Sequence, residues 1–165
     1  METTSTSDRP TRRRDDRDVV WIDDLVPDVC WRLLRRHVVG RVCFVRGDDP
    51  CVLPVNYGVV DEAIVFRTAI DTSLHRVPSG AAVAFEIDET DETSETGWSV
   101  VVQGTLAEIT GEADCDETNA LAVHPWAPGR RDRWMKITPS HVTGRAISRR
   151  RSHVGGDLLP YMPPD

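Results

Sequence analysis

No apolar run in this 165-residue chain approaches the ~20 residues that a membrane-spanning helix requires. No apolar h-region follows Met1, so export is not expected. The four cysteines (Cys30, Cys43, Cys51, Cys115) lack the C-x-x-C spacing of a metal or redox site. Three of them sit among apolar neighbours, where a reduced buried thiol is the default. The five histidines (His37, His75, His124, His141, His153) do not cluster, and Ser73, Ser79 and Ser99 lie outside any nucleophile-elbow context. These absences argue against a metal site and a serine hydrolase, and lead to the expectation of a cytoplasmic, reduced protein. The net charge of −7 lacks the clustered positive surface that nucleic acid demands. Even Arg12-Arg13-Arg14 is offset locally by Asp8, Asp15, Asp16 and Asp18.

Both ends are poor in periodic apolar residues. Residues 1–18 are mostly Ser, Thr, Asp and Arg, and residues 149–165 hold an arginine run, Gly155-Gly156 and three prolines. Neither buries enough apolar surface to offset chain entropy, so both are expected to be disordered tails. Residues 19–148 then form one domain of roughly 130 residues, enough for one core.

Within it, residues 27–37 read as a helix. Leu25, Val29, Leu33 and Leu34 recur at helical spacing, Pro27 suits the first turn, and Arg35-Arg36-His37 complement the dipole at the far end. Strand-like runs follow at 41–46, 51–57, 63–68 and 82–87, separated by short turns, which implies antiparallel hairpins. Pro54 marks an edge, a bulge or an interruption. Residues 72–77 suggest a short helix before Pro78, residues 88–96 a polar loop, and residues 97–109 a long strand bent at Gly104. A helix is expected over 112–123, and a last strand or strand pair over 134–137 and 141–147. The sum is a mainly β chain with flanking helices, closing into a small barrel.

The chemistry gathers where two strands end. Arg67, Thr68, Thr72 and Ser73 form a compact set of anion-friendly donors, with Asn56 on the preceding strand. If the strand stops at Thr68, the amides that follow it join the hydroxyls and a bidentate arginine in a charge-assisted anion site. The same residues also fit an ordinary strand end with a threonine cap and a surface arginine, and spacing alone does not separate the two. Arg130, Arg131 and Arg133 fit either an anionic substrate or a solvated face, and Trp126 and Trp134 fit core or interface packing.

Val52-Leu53-Pro54-Val55-Asn56-Tyr57, Ile64-Val65-Phe66-Arg67-Thr68 and Val83-Ala84-Phe85-Glu86-Ile87-Asp88 resemble the pyridoxamine 5′-phosphate oxidase-like family of FMN-binding split β-barrels. Gly97-Trp98-Ser99-Val100 and the segment from Trp126 to Trp134 are similar to its small actinobacterial-type branch. The resemblance implies a six-stranded antiparallel split β-barrel and a homodimer with flavin sites at the subunit interface. It places Pro54, Val55, Asn56 and Tyr57 beside the flavin ring, and Arg67, Thr68, Thr72 and Ser73 at the FMN phosphate. Trp98 and Ser99 would reach the cofactor from the long strand.

It also exposes a departure. Related sequences carry Gly-Thr-Lys-Leu where this one has Asp71-Thr72-Ser73-Leu74, so a cation is missing and a carboxylate is added. A charge-assisted hydrogen bond contributes about 1.5–3 kcal/mol, so its loss weakens phosphate binding by about tenfold or more, unless His75 or Arg76 turns inward. The resemblance implies an FMN-binding oxidoreductase acting on a small molecule, with no catalytic side chain assigned and no membrane or nucleic-acid partner. Features for oxidising pyridoxamine phosphate itself are not located in the C-terminal half. Two other readings stay open: a reductase using the deazaflavin coenzyme, and a non-catalytic flavin-binding or stress-related protein.

Overall fold

The computed structural model describes residues 18–111 and 123–151. The elements run β1 (Asp18–Asp24), α1 (Pro27–Arg36), β2 (Val39–Arg46), β3 (Asp49–Val60), β4 (Ala63–Thr68), β5 (Ala81–Asp91), β6 (Thr96–Glu108) and β7 (Arg133–Arg151). Every strand pairing is antiparallel. Six strands close a ring in the order β7-β4-β3-β2-β5-β6, with β6 returning to β7. The chain is therefore a six-stranded antiparallel split barrel, and β1 is a seventh strand attached to the far end of β7.

Alternation in the sequence sets which side chains fill the barrel. Val83, Phe85 and Ile87 of β5 point inward with Val100, Val102 and Leu106 of β6, while Ala82 and Gln103 face out. Phe66, Phe85, Ile64 and Ile137 are almost completely removed from solvent, each contributing about 1.5–3 kcal/mol by burial. Helix α1 lays Cys30, Trp31, Leu33 and Leu34 against this core. Burial raises the Cys30 thiol above its ordinary value, so it stays protonated.

Pro54 sits on an edge, as the sequence suggests. Residues 49–56 of β3 pair with β2, but pairing with β4 begins only at Tyr57, so β3 overhangs the end of β4. The β3–β4 turn is tighter than expected, confined to Asp61 and Glu62, both in the left-handed region that a two-residue hairpin turn requires.

Several elements differ from expectation. β1 was not anticipated, because Trp21 and Ile22 are both exposed and the run lacks alternation. The last strand is one continuous element: a register shift between Gln103 and Gly104 opposite Pro139 absorbs the proline. Residues 72–77 make a turn instead of a helix. Arg76 N–H bonds the Thr72 carbonyl and Val77 N–H that of Leu74, but Pro78 stops propagation before nucleation is repaid. The polar loop is shorter than 88–96, since β5 continues to Asp91. The helix expected over 112–123 lies outside the described residues except at its last position, as do most of both tails. Among the described residues, no helix is long and apolar enough to cross a membrane.

Candidate functional site

The overhang of β3 beyond β4 leaves a cavity of about 190 Å³. Pro54, Val55 and Asn56 form one side, and Arg67, Thr68 and Thr72 form another. Six of the ten residues singled out from the sequence therefore converge on one space. Leu53 and Leu74 add apolar wall, and Pro125, Ala127 and Arg131 close it from the segment before β7.

Alternation along β4 explains how Arg67 reaches this space. Phe66 and Thr68 are buried inward, so Arg67 faces the other side, half-buried. There its guanidinium lies over the Trp134 ring, 5.2 Å from the centroid. Its Nε is shielded from solvent yet has no hydrogen-bond partner. A buried unsatisfied donor costs about 1–3 kcal/mol, and contact with the face of Trp134 offsets part of it.

The hydroxyls are differently placed. Thr72 Oγ1 lies 2.8 Å from the Ala69 carbonyl, to which it donates, and it accepts the His75 N–H at 3.2 Å. Thr68 Oγ1 is 2.7 Å from Thr72 Oγ1, and with the Thr72 proton already committed it is the donor in that pair. Both hydroxyl protons are thus spent inside the loop, and the positive charge in the cavity is carried by arginine.

His75 and Arg76 do not replace the missing lysine. His75 Nε2 lies 3.2 Å from Glu108, which also accepts from Arg133 at 3.3 Å, and Arg76 is exposed. Arg131 is the cation that enters, from a run for which a solvated face is the more frequent explanation. The signal available in the sequence was the rigid frame around it, Pro125, Pro128 and Gly129, with Gly129 at φ +98° turning the chain back.

Four residues fall elsewhere. Tyr57 points into the core, 3% exposed, packed edge-on against Phe85 with its hydroxyl donating to the Leu34 carbonyl at 2.7 Å. Its side chain is not at the cavity, because register puts it one residue past Asn56 and on the opposite face. Ser73 is half-buried but does not line the cavity. Trp98 and Ser99 line a separate cavity of about 600 Å³, rimmed by Glu86, Asp88, Asp91 and Glu95. Those carboxylates are already engaged: Arg41 pairs with Glu86 and Asp88, Arg149 with Glu95. The Ser94 hydroxyl and the Thr93 and Ser94 amides hold Asp91 below its usual range.

The family model for pyridoxamine 5′-phosphate oxidase matches residues 27–146, which takes in α1, β2 to β6 and most of β7. The chain belongs to the pyridoxamine 5′-phosphate oxidase family. It is 35% identical over 136 residues to the uncharacterized protein Rv0080 of Mycobacterium tuberculosis, covering 79% of this chain and 87% of the relative. An FAD-binding protein from Mycobacterium smegmatis superposes with a TM-score of 0.65 at 29% identity, over 76% of this chain and 98% of that one. An FAD-binding protein from Mesorhizobium loti shares the fold at 21% identity, with a TM-score of 0.64 over 79% and 99% of the two chains.

Proposed function

We propose that this member of the pyridoxamine 5′-phosphate oxidase family is an FMN-dependent oxidoreductase, with the cofactor phosphate in the Arg67 cavity and the ring along the overhanging edge of β3. The observation that carries this reading is Arg67 itself, half-buried over the Trp134 ring and lining a cavity that a second arginine also lines. The donor set fits a phosphate. About 190 Å³ equals the liquid volume of some six waters, room for one phosphate and its ester arm but not for a flavin ring. Two arginines lining the cavity match the near-dianionic phosphomonoester that ends FMN.

When bound, the flavin supplies the redox chemistry. The chain's own part is to hold and orient it. Arg67 neutralises phosphate charge, and Pro54 and Val55 offer a β edge with a missing N–H at Pro54. Leu53 and Leu74 keep water from the ester arm. No side chain at the cavity is positioned as a proton donor to a substrate, so none is assigned as catalytic. The same reading makes the chain a homodimer in which Trp98 and Ser99 meet the flavin of the other subunit. It is supported by the exposed apolar side chain of Trp126 (74% exposed), whose backbone N–H is bound by Asn56 beside the cavity.

The test is direct. Purified protein, dialysed and titrated with FMN, FAD and deazaflavin coenzyme, should take up FMN in preference, seen in the visible spectrum and in fluorescence quenching. Failure to take up any of the three overturns the flavin reading. Reduction of the bound flavin by a nicotinamide donor, followed by reoxidation with an added acceptor, distinguishes an enzyme from a non-catalytic flavin binder. Light scattering at micromolar concentration checks the dimer, and a monomer would remove the shared-site geometry.

A further inference from the structure

We propose that Arg131 is the second cation of the phosphate site, standing in for the lysine this chain lacks, and that Asn56 latches the strap carrying it across the cavity. The inference rests on the flavin reading above. Residues 124–131 precede β7 and supply Pro125, Ala127 and Arg131 to the cavity wall. Asn56 faces them from β3. Its Oδ1 accepts the Trp126 N–H at 2.8 Å, while its Nδ2 lies 3.4 Å from the Val38 carbonyl just before β2. The amide therefore ties the strap to the edge of the sheet, and its own polar atoms are committed to that task.

The arginines around the strap divide by role. Arg130 is exposed and paired with Asp132 at 3.0 Å, and Arg133 is bound to Glu108. Arg131 is the one turned inward, half-buried, with Nε at 3.5 Å from the Ala127 carbonyl and no carboxylate partner among the described residues. A phosphomonoester carries close to two negative charges at neutral pH. Arg67 balances one of them. The Thr68 and Thr72 hydroxyl protons are spent, His75 is held by Glu108, and Ser73 does not line the cavity. Arg131 is left to balance the second, and the latch fixes where its guanidinium stands.

The experiment compares FMN with riboflavin, which has the same ring and no phosphate. Full-length wild type, Arg131→Ala, Arg131→Lys, Asn56→Ala and Arg67→Ala are titrated by fluorescence quenching, with thermal melts as a folding control. Arg131→Ala weakens FMN by about tenfold or more and leaves riboflavin within about twofold. Arg131→Lys recovers most of the FMN affinity, since charge is the requirement. Asn56→Ala gives a smaller loss, again confined to FMN. If Arg67→Ala loses FMN affinity while Arg131→Ala does not, the second-cation assignment is wrong and the flavin reading stands. Equal losses of FMN and riboflavin in Arg131→Ala also overturn it, by showing that the strap acts on the ring. If wild type binds neither, the flavin reading falls and takes this inference with it.

Discussion

Arg67 and Trp134 are direct cross-strand partners on β4 and β7, and the guanidinium carbon stands 5.2 Å from the indole centroid. The pair explains how an arginine is kept half-buried at a strand end: the ring limits its rotamers and offers its π face in place of water. Such preorganisation lowers the entropy lost when an anion binds. Arg67→Ala should therefore weaken FMN by about ten- to a hundredfold, corresponding to a charge-assisted hydrogen bond of about 1.5–3 kcal/mol. The melting temperature should change little, because the guanidinium's own buried Nε is unsatisfied in the free protein. An unchanged FMN dissociation constant in a folded variant would show that Arg67 does not touch the phosphate.

Ser73→Lys separates two accounts of the missing lysine. From sequence alone, restoring it should tighten FMN, since Ser73 occupies the lysine's place in the motif. With Arg131 already in the cavity, the expected gain in the wild-type background is less than about threefold, under about 0.7 kcal/mol. In Arg131→Ala the same lysine should recover a larger share of the lost affinity. A tenfold gain in the wild-type background would mean that Arg131 leaves the site short of charge.

Much of this was legible beforehand, for identifiable reasons. Alternation at the end of 63–68 turned Arg67 away from Phe66 and Thr68, whereas 82–87, apolar on both faces in the sequence, alternates in the structure with Val83, Phe85 and Ile87 buried and Ala82 exposed. The order of the short motifs carried the barrel and its family. Arg131 was harder to find because its position depends on a segment without regular structure, held by one amide from a strand far away in sequence. No local pattern distinguishes an arginine facing a cavity from Arg130 one residue earlier, exposed and paired with Asp132. Tyr57 was grouped with its neighbours by sequence adjacency, whereas the two-residue period of a strand sends it to the opposite face from Asn56.

Tyr57→Phe tests that separation. The phenol caps the Leu34 carbonyl in the last turn of α1, at 2.7 Å and away from water. Removing the hydroxyl leaves a buried helix-terminal carbonyl unpaired, at about 1–3 kcal/mol, and should lower the melting temperature by several degrees. FMN affinity should be unaffected. Burial raises the phenol well above its ordinary value, so the neutral form is favoured in the folded chain. Because its folded pKa is raised, its stabilising contribution is complete below pH ~10, where the unfolded phenol begins to ionise, and falls as pH rises further. Wild type should lose stability across that alkaline range more steeply than Tyr57→Phe, as chemical denaturation at a series of pH values would show.

Gly104→Ala tests what lets the long final strand pass. A Cβ at residue 104 would lie 2.2 Å from the Thr138 carbonyl oxygen and 3.0 Å from the Pro139 Cα, both backbone atoms with no freedom to step aside. The register shift at Gln103/Gly104 is where β6 makes room for Pro139, which has no N–H to offer a ladder. An added methyl therefore has to part β6 from β7 or flatten the shift, and either loosens neighbouring pairs that hold Leu106 and Ile137 in the core. The expected cost is about 1–3 kcal/mol, read as a fall of several degrees in a thermal melt. Ser140→Ala is the control: the residue is exposed on the same strand, and its hydroxyl bond to the Gln103 carbonyl at 3.1 Å should be worth under about 0.5 kcal/mol. If Gly104→Ala melts with wild type while Ser140→Ala does not, the proline is admitted by the hydroxyl contact and not by the absent side chain.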